Sequence, residues 1–245
     1  MQNAPPPPAP DDGALRFPRP LATVDVAIFS VVASRLAVLL ARRPDAPDEP
    51  FPGRWSLPGG FVDVARDASL EACALRKLRE KTGVRAPYLE QLGSWGDARR
   101  DPRGWCATHV YFALVPPPDG ARPGAAAGAG VGWFALDDAG RKRLAFDHAR
   151  LLDAAVARLR GKAEYTSLPA FLLAPGFTLP ELQQAYETVL GRPLDRSAFR
   201  KRMLDAGFLE ASGRVAGGPG RPATAYRLRD VARPAAFPRT FRSGE

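Results

Sequence analysis

The sequence predicts an α/β domain followed by a small winged helix-turn-helix domain, and three observations support this fold class. The chain has 245 residues, which exceeds one small domain and suits two domains of roughly 100 to 200 residues each. Its first part alternates apolar strands with two amphipathic helices, and its last part places positive charge beside a glycine-rich hairpin. The predicted organisation in chain order is a disordered proline-rich tail at 1–20, the α/β domain at 21–162, the winged helix-turn-helix domain at 170–230 and a flexible tail at 231–245.

The first domain is predicted from strands of β-branched and aliphatic residues that alternate with helical patterns. The segments ATVDVAIFSV and LAVLLARR indicate two strands joined by a turn near residues 33–35. A helix is expected at 68–82, because apolar residues recur at helical spacing and Gly83 is suited to end it. Further strands are predicted at 87–95, 107–115 and 131–136, and an amphipathic helix at 146–160. These mixed strands with two helices indicate an α/β fold.

The second domain is predicted from a helix, a basic helix and a hairpin in succession. Thr178 is a favourable N-cap for a first helix, which Gly191 ends. Asp195 is placed to cap a second helix at 196–206. Residues 208–209 and 224–228 are then expected to pair as a hairpin around the glycine-rich tip AGGPGRP. Helix, turn, basic helix and two-stranded wing is the order of a winged-helix domain.

The net charge of +9 is concentrated after residue 191. From Arg192 onward, twelve lysines and arginines stand against five acidic residues, a balance of +7, which leaves +2 for the first 191 residues. Such an asymmetry indicates a polyanionic partner for the second domain. We expect that partner to be nucleic acid.

Composition also narrows the class and location of the protein. No apolar stretch reaches the length of about 20 residues that spans a bilayer, so no membrane association is expected. The proline-rich start lacks both the apolar core of a secretory signal and the pattern of a transit peptide. The two cysteines, Cys73 and Cys106, fit neither a zinc site nor a disulfide framework. We therefore expect a cytoplasmic protein with reduced thiols.

A segment of the first domain carries a recognisable motif. Residues 59–84, GGFVDVARDASLEACALRKLREKTGV, resemble the Nudix box, and the flanking FPGRWSLPGGFV and YLEQLGSWGDARRDPRG resemble the same family. The resemblance covers nearly all of residues 21–160. It implies the Nudix fold, which is a mixed-sheet α/β/α sandwich, and a domain that senses a nucleotide.

The metal ligands of the Nudix box are largely missing. In active members of the family, glutamates on the helix of the box bind Mg²⁺, a hard cation that prefers carboxylate oxygens. Arg76 and Glu80 match the box, but two ligand positions hold Lys77 and Lys81. An earlier glutamate position falls on Ala68. Because an ammonium cannot coordinate a cation, we predict no catalytic residues, no metal site and no required cofactor; Mg²⁺ is needed only if the chain is a hydrolase.

The two lysines suggest another use for this helix. Lys77 and Lys81 lie one turn apart and can neutralise the diphosphate of a nucleotide directly, in place of the metal. The alternative is that they form ordinary surface pairs with glutamates such as Glu80.

Further candidates for ligand binding lie on either side of the box. Three arginines of the RDPRG region can bind phosphate bidentately, unless that loop is simply solvated: Arg99, Arg100 and Arg103. Arg54 and Phe61 can line a base or ribose pocket, unless they belong to the core. We interpret His109 and His148 as structural residues.

Residues 173–229 are similar to the C-terminal winged-helix domain of the Nudix-related transcriptional regulators, the NrtR-like proteins. The elements FTLPELQ, YETVLGRPLDR, FRKRM and GRPATAYRL carry this resemblance. In the basic helix, Phe199 and Met203 form a buried seam, which leaves the cations to face a major groove. The predicted DNA-binding residues are Arg196, Arg200, Lys201 and Arg202 on that helix and Arg214 and Arg221 at the wing. The alternative is a basic face that binds nothing.

Together the two resemblances imply a transcriptional regulator. We expect a repressor of NAD-metabolism genes that binds a double-stranded DNA operator as a homodimer and responds to ADP-ribose or a related nucleotide. One alternative is a Nudix hydrolase that cleaves ADP-ribose or another nucleoside diphosphate derivative, with Glu71, Glu80 and Asp67 as substitute metal ligands. Another is a nucleotide-binding adaptor whose basic half binds RNA or a protein, but the basic segment lacks the aromatic residues that stack on RNA bases.

Overall fold

The structure is a computed structural model that describes residues 19–82, 88–117, 130–140, 143–215, 222–238 and 240–241. Almost all of the tail predicted at 1–20 lies outside these ranges. Within them, no helix has the length and apolar character needed to cross a bilayer.

The first domain is built on a seven-stranded mixed sheet. Strands β1 (Leu21–Val32) and β2 (Arg35–Arg42) form the hairpin expected from the sequence. The other strands are β3 (Trp55–Ser56), β4 (Gly59–Phe61), β5 (Tyr88–Asp97), β6 (Cys106–Leu114) and β7 (Val131–Ala135). Strand β1 runs parallel to β6 and antiparallel to β2 and β4. The sheet order is β3-β2-β1-β6-β5, with β4 paired to β1 and β7 paired to β2.

Helices cover both faces of this sheet. Helix α1 (Leu70–Thr82) buries Ala74 and Leu78 against one face, where Val26 of β1 also lies. Helix α3 (His148–Ala163) packs against the other face, and the short α2 (Leu136–Gly140) follows β7. Because both faces of β1 are covered, the strand reads as a nearly continuous apolar run. The predicted α/β/α sandwich is confirmed.

Both long helices of this domain begin two residues later than the sequence pattern suggests. The hydroxyl of Ser69 accepts a hydrogen bond from the amide of Ala72 at 3.0 Å and so caps α1. Phe146 has a φ of +54°, which is incompatible with a right-handed helix, so α3 begins only at His148.

A buried 3₁₀ helix, here called the junction helix (Leu168–Leu172), connects the two domains. Leu168 and Phe171 belong to the apolar core of the first domain, whereas Ala170 packs with the core of the second. The ring of Phe171 lies 5.2 Å from that of Tyr88 on β5. Burial of the junction helix therefore joins the two domains through a shared apolar contact rather than a free linker.

The second domain has the predicted winged-helix order. It contains α4 (Leu179–Leu190), α5 (Arg196–Asp205) and a wing of β8 (Leu209–Val215) and β9 (Ala223–Leu228). Thr178 and Glu181 form a reciprocal capping box at the start of α4, and Gly191 ends the helix with a φ of +72°. The carboxylate of Asp195 accepts a hydrogen bond from the amide of Ala198 at 2.7 Å and caps α5.

The C-terminal segment differs from the expectation of a flexible tail from residue 231. The end of the described chain, here called the strap, packs against the core of the second domain; it consists of residues 235–238 and 240–241. Ala236 forms a bridge with Thr166, and the amide of Phe237 donates to the carbonyl of Tyr165 at 2.7 Å. The prediction is wrong for these residues because Phe237 and Phe241 anchor the segment in the core of the second domain.

Candidate nucleotide pocket and DNA-binding surface

A pocket opens in the first domain between the sheet and the segments that precede β6 and α3. Strands β1, β3 and β4 provide one side of it, and the loop at 100–103 provides another. The charged, aromatic and histidine side chains in the lining are those of Asp25, Arg43, Phe61, Arg100, Arg103 and His148.

The floor of this pocket is a buried charge network. Asp25 and Arg100 are 5% and 7% exposed, and the Nη2 of Arg100 lies 3.4 Å from the Oδ2 of Asp25. The same carboxylate accepts a hydrogen bond from the hydroxyl of Thr108 at 2.7 Å. Arg100 also binds Asp147, at 2.9 Å. Burial lowers the pKa of Arg100, but the hydrogen bond that Arg100 donates to Asp147 and the charge of Asp25 outweigh it, so the pKa lies above its usual value.

These contacts change the role expected for Arg100. The sequence predicts it as a phosphate ligand, and it does line the pocket. Its guanidinium, however, is already bound to Asp25 and Asp147. Arg100 therefore organises the floor and has little capacity left for a phosphate.

His148 connects the start of α3 to the pocket lining, and its ring is neutral. Its Nδ1 accepts a hydrogen bond from the amide of Leu57 at 2.9 Å, which assigns the ring proton to Nε2. That Nε2 lies 3.6 Å from Asp25. Burial lowers the pKa of His148, which favours the neutral ring.

The exposed wall of the pocket pairs an aromatic ring with a cation. The guanidinium of Arg103 lies 4.7 Å from the ring centroid of Phe61, a residue that is 39% exposed. Asp101 holds Arg103 in this position through a 2.8 Å ion pair. The structure brings together Phe61 and Arg103, two residues that the sequence suggests separately as ligand contacts, and their planar groups suit a base or a phosphate.

Two predicted ligand residues lie apart from the pocket lining. Arg54 stacks its guanidinium 5.3 Å from the ring of Phe51. Arg99 is exposed, and its amide donates to Asp97 at 2.6 Å. Sequence reasoning missed Asp25, although an acidic residue within the apolar run ATVDVAIFSV was a signal that could have found it.

Two carboxylates of the Nudix box, Glu80 on α1 and Asp67 just before it, are held by arginines. Arg76 binds Asp67 at 2.5 Å and Glu80 at 3.0 Å, and Arg66 binds Glu80 at 3.1 Å. The hydrogen bond from Arg76 holds the pKa of Asp67 well below its usual range. The earlier glutamate position of the Nudix box falls on Ala68 in the sequence. In the structure, the neighbouring Asp67 is the acidic residue at this place, and it forms an ion pair with Arg76.

Lys77 lies against Gly60 of β4 and, like Arg54 and Arg99, is not among the residues that line the pocket. A side chain at Gly60, which lines the pocket, would place its Cβ 3.0 Å from the Nζ of Lys77. Glu80 pairs with arginines instead, and no residue of the described ranges forms an ion pair with Lys77. The side chain of Lys81 lies outside the described part of the structure.

The residues of the Nudix helix do not fit a bound Mg²⁺. Glu80 and the neighbouring Asp67 already bind arginines, Lys77 occupies a ligand position, and Glu71 is the other carboxylate of the helix. Within the described ranges, no group of three or more histidine, cysteine, aspartate or glutamate side chains is placed to hold a metal ion.

Helix α5 presents a basic surface. Phe199 and Met203 are buried at 2% and 0% exposure, as the sequence predicts. Arg196, Arg200 and Lys201 are exposed on the remaining surface, and Lys201 forms an exposed pair with Asp205 at 2.5 Å. Arg214 is exposed on β8 of the wing, whereas Arg221 lies outside the described residues.

Arg202 differs from the other cations of α5. Its guanidinium lies 4.0 Å from the ring centroid of Phe241 and 5.0 Å from that of Phe237. Burial lowers its pKa, and its Nη2 is buried without a hydrogen-bond partner among the described residues. The assignment of Arg202 to the DNA-binding face is therefore corrected, because the side chain turns towards the strap.

Comparison with known proteins agrees with this two-part arrangement. Residues 21–155 match the NUDIX domain family, and residues 169–228 match the NrtR DNA-binding winged helix domain. Over 212 residues the chain is 47% identical to a protein of Acinetobacter baylyi named ADPR responsive transcriptional repressor NtrR, covering 86% of this chain and 83% of the relative. The chain belongs to the NrtR family.

Solved NrtR structures agree with both domains. Shewanella oneidensis NrtR complexed with a 27mer DNA has a TM-score of 0.80 at 40% identity, covering 90% of this chain and 99% of that chain. The NUDIX domain of the same NrtR complexed with ADP ribose has a TM-score of 0.53 at 43% identity, covering 61% of this chain and 93% of that chain. The NrtR fold, a Nudix domain followed by a winged helix, therefore describes the whole arrangement.

Proposed function

We propose that this protein is a DNA-binding transcriptional repressor whose affinity for its operator is set by ADP-ribose in the Nudix pocket. The observation that carries the proposal is that one chain combines this pocket with the exposed basic helix α5, in a family whose Acinetobacter baylyi relative is named an ADPR responsive repressor. Its target genes are those of NAD metabolism, and it acts in the cytoplasm.

The pocket has the chemistry that ADP-ribose requires. Phe61 and Arg103 offer a flat ring and a planar cation side by side, which suit the adenine or the diphosphate. Lys77, which lies next to the lining residue Gly60, is a nearby cation that forms no ion pair among the described residues. Direct neutralisation of the diphosphate by Lys77, assisted by Lys81, would replace the metal of a Nudix enzyme.

The second domain supports DNA binding through its geometry. A winged-helix domain inserts its second helix into the major groove, and α5 exposes Arg196, Arg200 and Lys201 for that purpose. Arg214 on the wing is placed for a phosphate or the minor groove. A homodimer would present two such domains to the two halves of a palindromic operator.

We propose binding of the nucleotide without cleavage and without a required metal. The hydrolase alternative needs carboxylates free to hold Mg²⁺ beside a diphosphate. Asp67 and Glu80 are instead neutralised by Arg76, and Glu71 is exposed in the first turn of α1. Without that ion, the barrier to hydrolysis stays several kcal/mol higher.

A titration with ADP-ribose tests the proposal. Heat of binding and chromatography of the products are followed in the same sample, with and without Mg²⁺, for the wild type, Phe61→Ala and Arg99→Ala. We expect binding without Mg²⁺ and without products, weakened by Phe61→Ala and unaffected by Arg99→Ala, whose side chain lies outside the pocket lining. ADP-ribose should then change the affinity for DNA in a gel shift. Cleavage at an enzymatic rate that depends on Mg²⁺ would establish the hydrolase instead.

A further inference from the structure

The strap makes backbone hydrogen bonds with the end of the α3 segment. The amide of Ser167 donates to the carbonyl of Ala235 at 2.8 Å, and the amide of Ala235 donates back to the hydroxyl of Ser167 at 2.8 Å. The amide of Phe237 donates to the carbonyl of Tyr165 at 2.7 Å. Residues 164–167 follow α3 directly, so any movement of the end of α3 reaches the strap through these bonds.

The other side of the strap holds α5. The ring of Phe241 stacks on Phe199 of α5 with centroids 6.0 Å apart and meets Tyr186 of α4 at 5.4 Å. The guanidinium of Arg202 lies 4.0 Å from the same ring. A cation prefers to lie over the face of an aromatic ring. The contact with Arg202 therefore fixes the orientation of Phe241 in addition to burying apolar area. Phe241 thus contributes to the contacts that hold α5 in its orientation.

The opposite end of α3 belongs to the floor of the nucleotide pocket. Asp147, which immediately precedes α3, binds Arg100 at 2.9 Å, and His148 accepts from the amide of Leu57 at 2.9 Å. Helix α3 has 16 residues and thus spans about 24 Å as a rigid rod. It runs from the pocket to the segment that the strap grips.

We infer that the strap is a positioning element that couples the nucleotide pocket to the DNA-reading helix. A ligand that alters the Arg100 to Asp147 contact displaces the start of α3, and the displacement passes through residues 164–167 and the strap to Phe241 and Arg202. The inference rests on the proposed function for the identity of the two ligands. Only a ligand whose binding differs between two placements of α5 can change DNA affinity in this way.

A second connection between the domains provides the competing explanation. Arg160 of α3 donates to the carbonyl of Val189 in α4 at 3.2 Å, and the junction helix packs in both cores. Through these contacts the winged-helix domain can move as a unit without any help from the strap. The strap would then merely stabilise its own domain.

The experiment measures the ratio of DNA dissociation constants with and without saturating ADP-ribose. The probe is a duplex that the wild-type protein selects from a random-sequence library. The variants are a truncation after Pro234, Phe241→Ala and Arg202→Met, with Phe177→Leu as the control, because Phe177 is a buried aromatic residue of the same core that lies outside the strap. Calorimetry measures ADP-ribose binding for each variant, and thermal melting measures stability.

We expect the ratio for the strap variants to fall within about twofold of unity while ADP-ribose still binds with wild-type affinity. Phe177→Leu should lower the melting temperature and keep the wild-type ratio. Strap variants that melt earlier but keep the wild-type ratio would overturn the inference. A wild-type protein that binds both ligands with a ratio of one would instead refute the proposed function.

Hydrogen exchange covers the case in which strap variants lose DNA binding. Exchange of the α5 amides is followed in the wild type and in Phe241→Ala, with and without ADP-ribose and without DNA. We expect ADP-ribose to change exchange of α5 in the wild type and not in the variant. An equal response of α5 in both proteins would overturn the inference.

Discussion

Arg76 of α1 has an environment opposite to that of Arg196 and Arg200 of α5, although all three are arginines on helices. In α1, Arg76 is 15% exposed at its side chain and is bound by Asp67 and Glu80. In α5, Arg196 and Arg200 are exposed to solvent. The partners of a cation, rather than its residue type, therefore decide whether it stabilises a fold or remains available to a polyanion.

The largest loss of stability is expected when a buried arginine with two acidic partners is replaced. In Arg100→Met, the carboxylates of Asp25 and Asp147 lose their buried partner, so the free energy of unfolding should fall by about 3 to 5 kcal/mol. Denaturant unfolding measures this change. Arg99→Met is the control, because Arg99 is exposed and should change stability by about 0.5 kcal/mol or less. Equal stabilities for the two variants would contradict the paired role of Arg100.

A pH titration of stability tests the pairing in α1. Because the hydrogen bond from Arg76 lowers the pKa of Asp67, the unfolded chain binds the proton more tightly than the folded protein. The contribution of Asp67 is present above pH about 4 and is lost as the pH falls towards the lowered pKa. We expect unfolding measurements between pH 6 and pH 2 to show a loss of about 2 kcal/mol that is absent in Asp67→Asn. Parallel pH profiles would show that this pair contributes nothing.

The available cations of α5 should instead affect DNA and leave stability unchanged. Arg200→Ala should weaken binding to a selected duplex by about 1 to 3 kcal/mol if it contacts a base, or reduce the slope of log affinity against log salt by about 1 if it contacts a phosphate. Fluorescence anisotropy at several salt concentrations separates the two contacts. Unchanged affinity and slope would remove Arg200 from the DNA-binding surface.

The smallest effect is expected at the exposed pair between Lys201 and Asp205. Both side chains are largely exposed, at 78% and 61%, so Asp205→Asn should change the free energy of unfolding by about 0.5 kcal/mol or less. The same change frees Lys201 and should raise DNA affinity slightly. A large loss of stability would show that this pair resembles the buried pairs of the first domain.

The regular elements of both domains could be predicted from sequence, because their signals are local. The caps Thr178 and Asp195 and the buried seam of Phe199 and Met203 lie where the pattern placed them. Apolar periodicity and capping depend on neighbours in the chain, and these are visible in the sequence.

Partners that come from distant parts of the chain could not be predicted. Arg100 and Arg103 stand close together in the sequence, yet one is buried with Asp25 and the other lies beside Phe61. The docked strap was missed for the same reason, since Phe241 is held in place by its contacts with Arg202 and Phe199. Side-chain roles of this kind follow from tertiary contacts rather than from spacing.

The junction helix has a consequence for how this protein can be divided. Leu168 and Phe171 complete the core of the sensing domain, while Ala170, within the same turn, completes that of the DNA-reading domain. If the chain is divided on either side of the junction helix, one domain is left with a cavity in its core and the other exposes an apolar patch to water. The two halves are thus recognisable as separate domains in sequence but share one piece of interior, and neither can be exchanged alone for a related domain without also replacing these five residues.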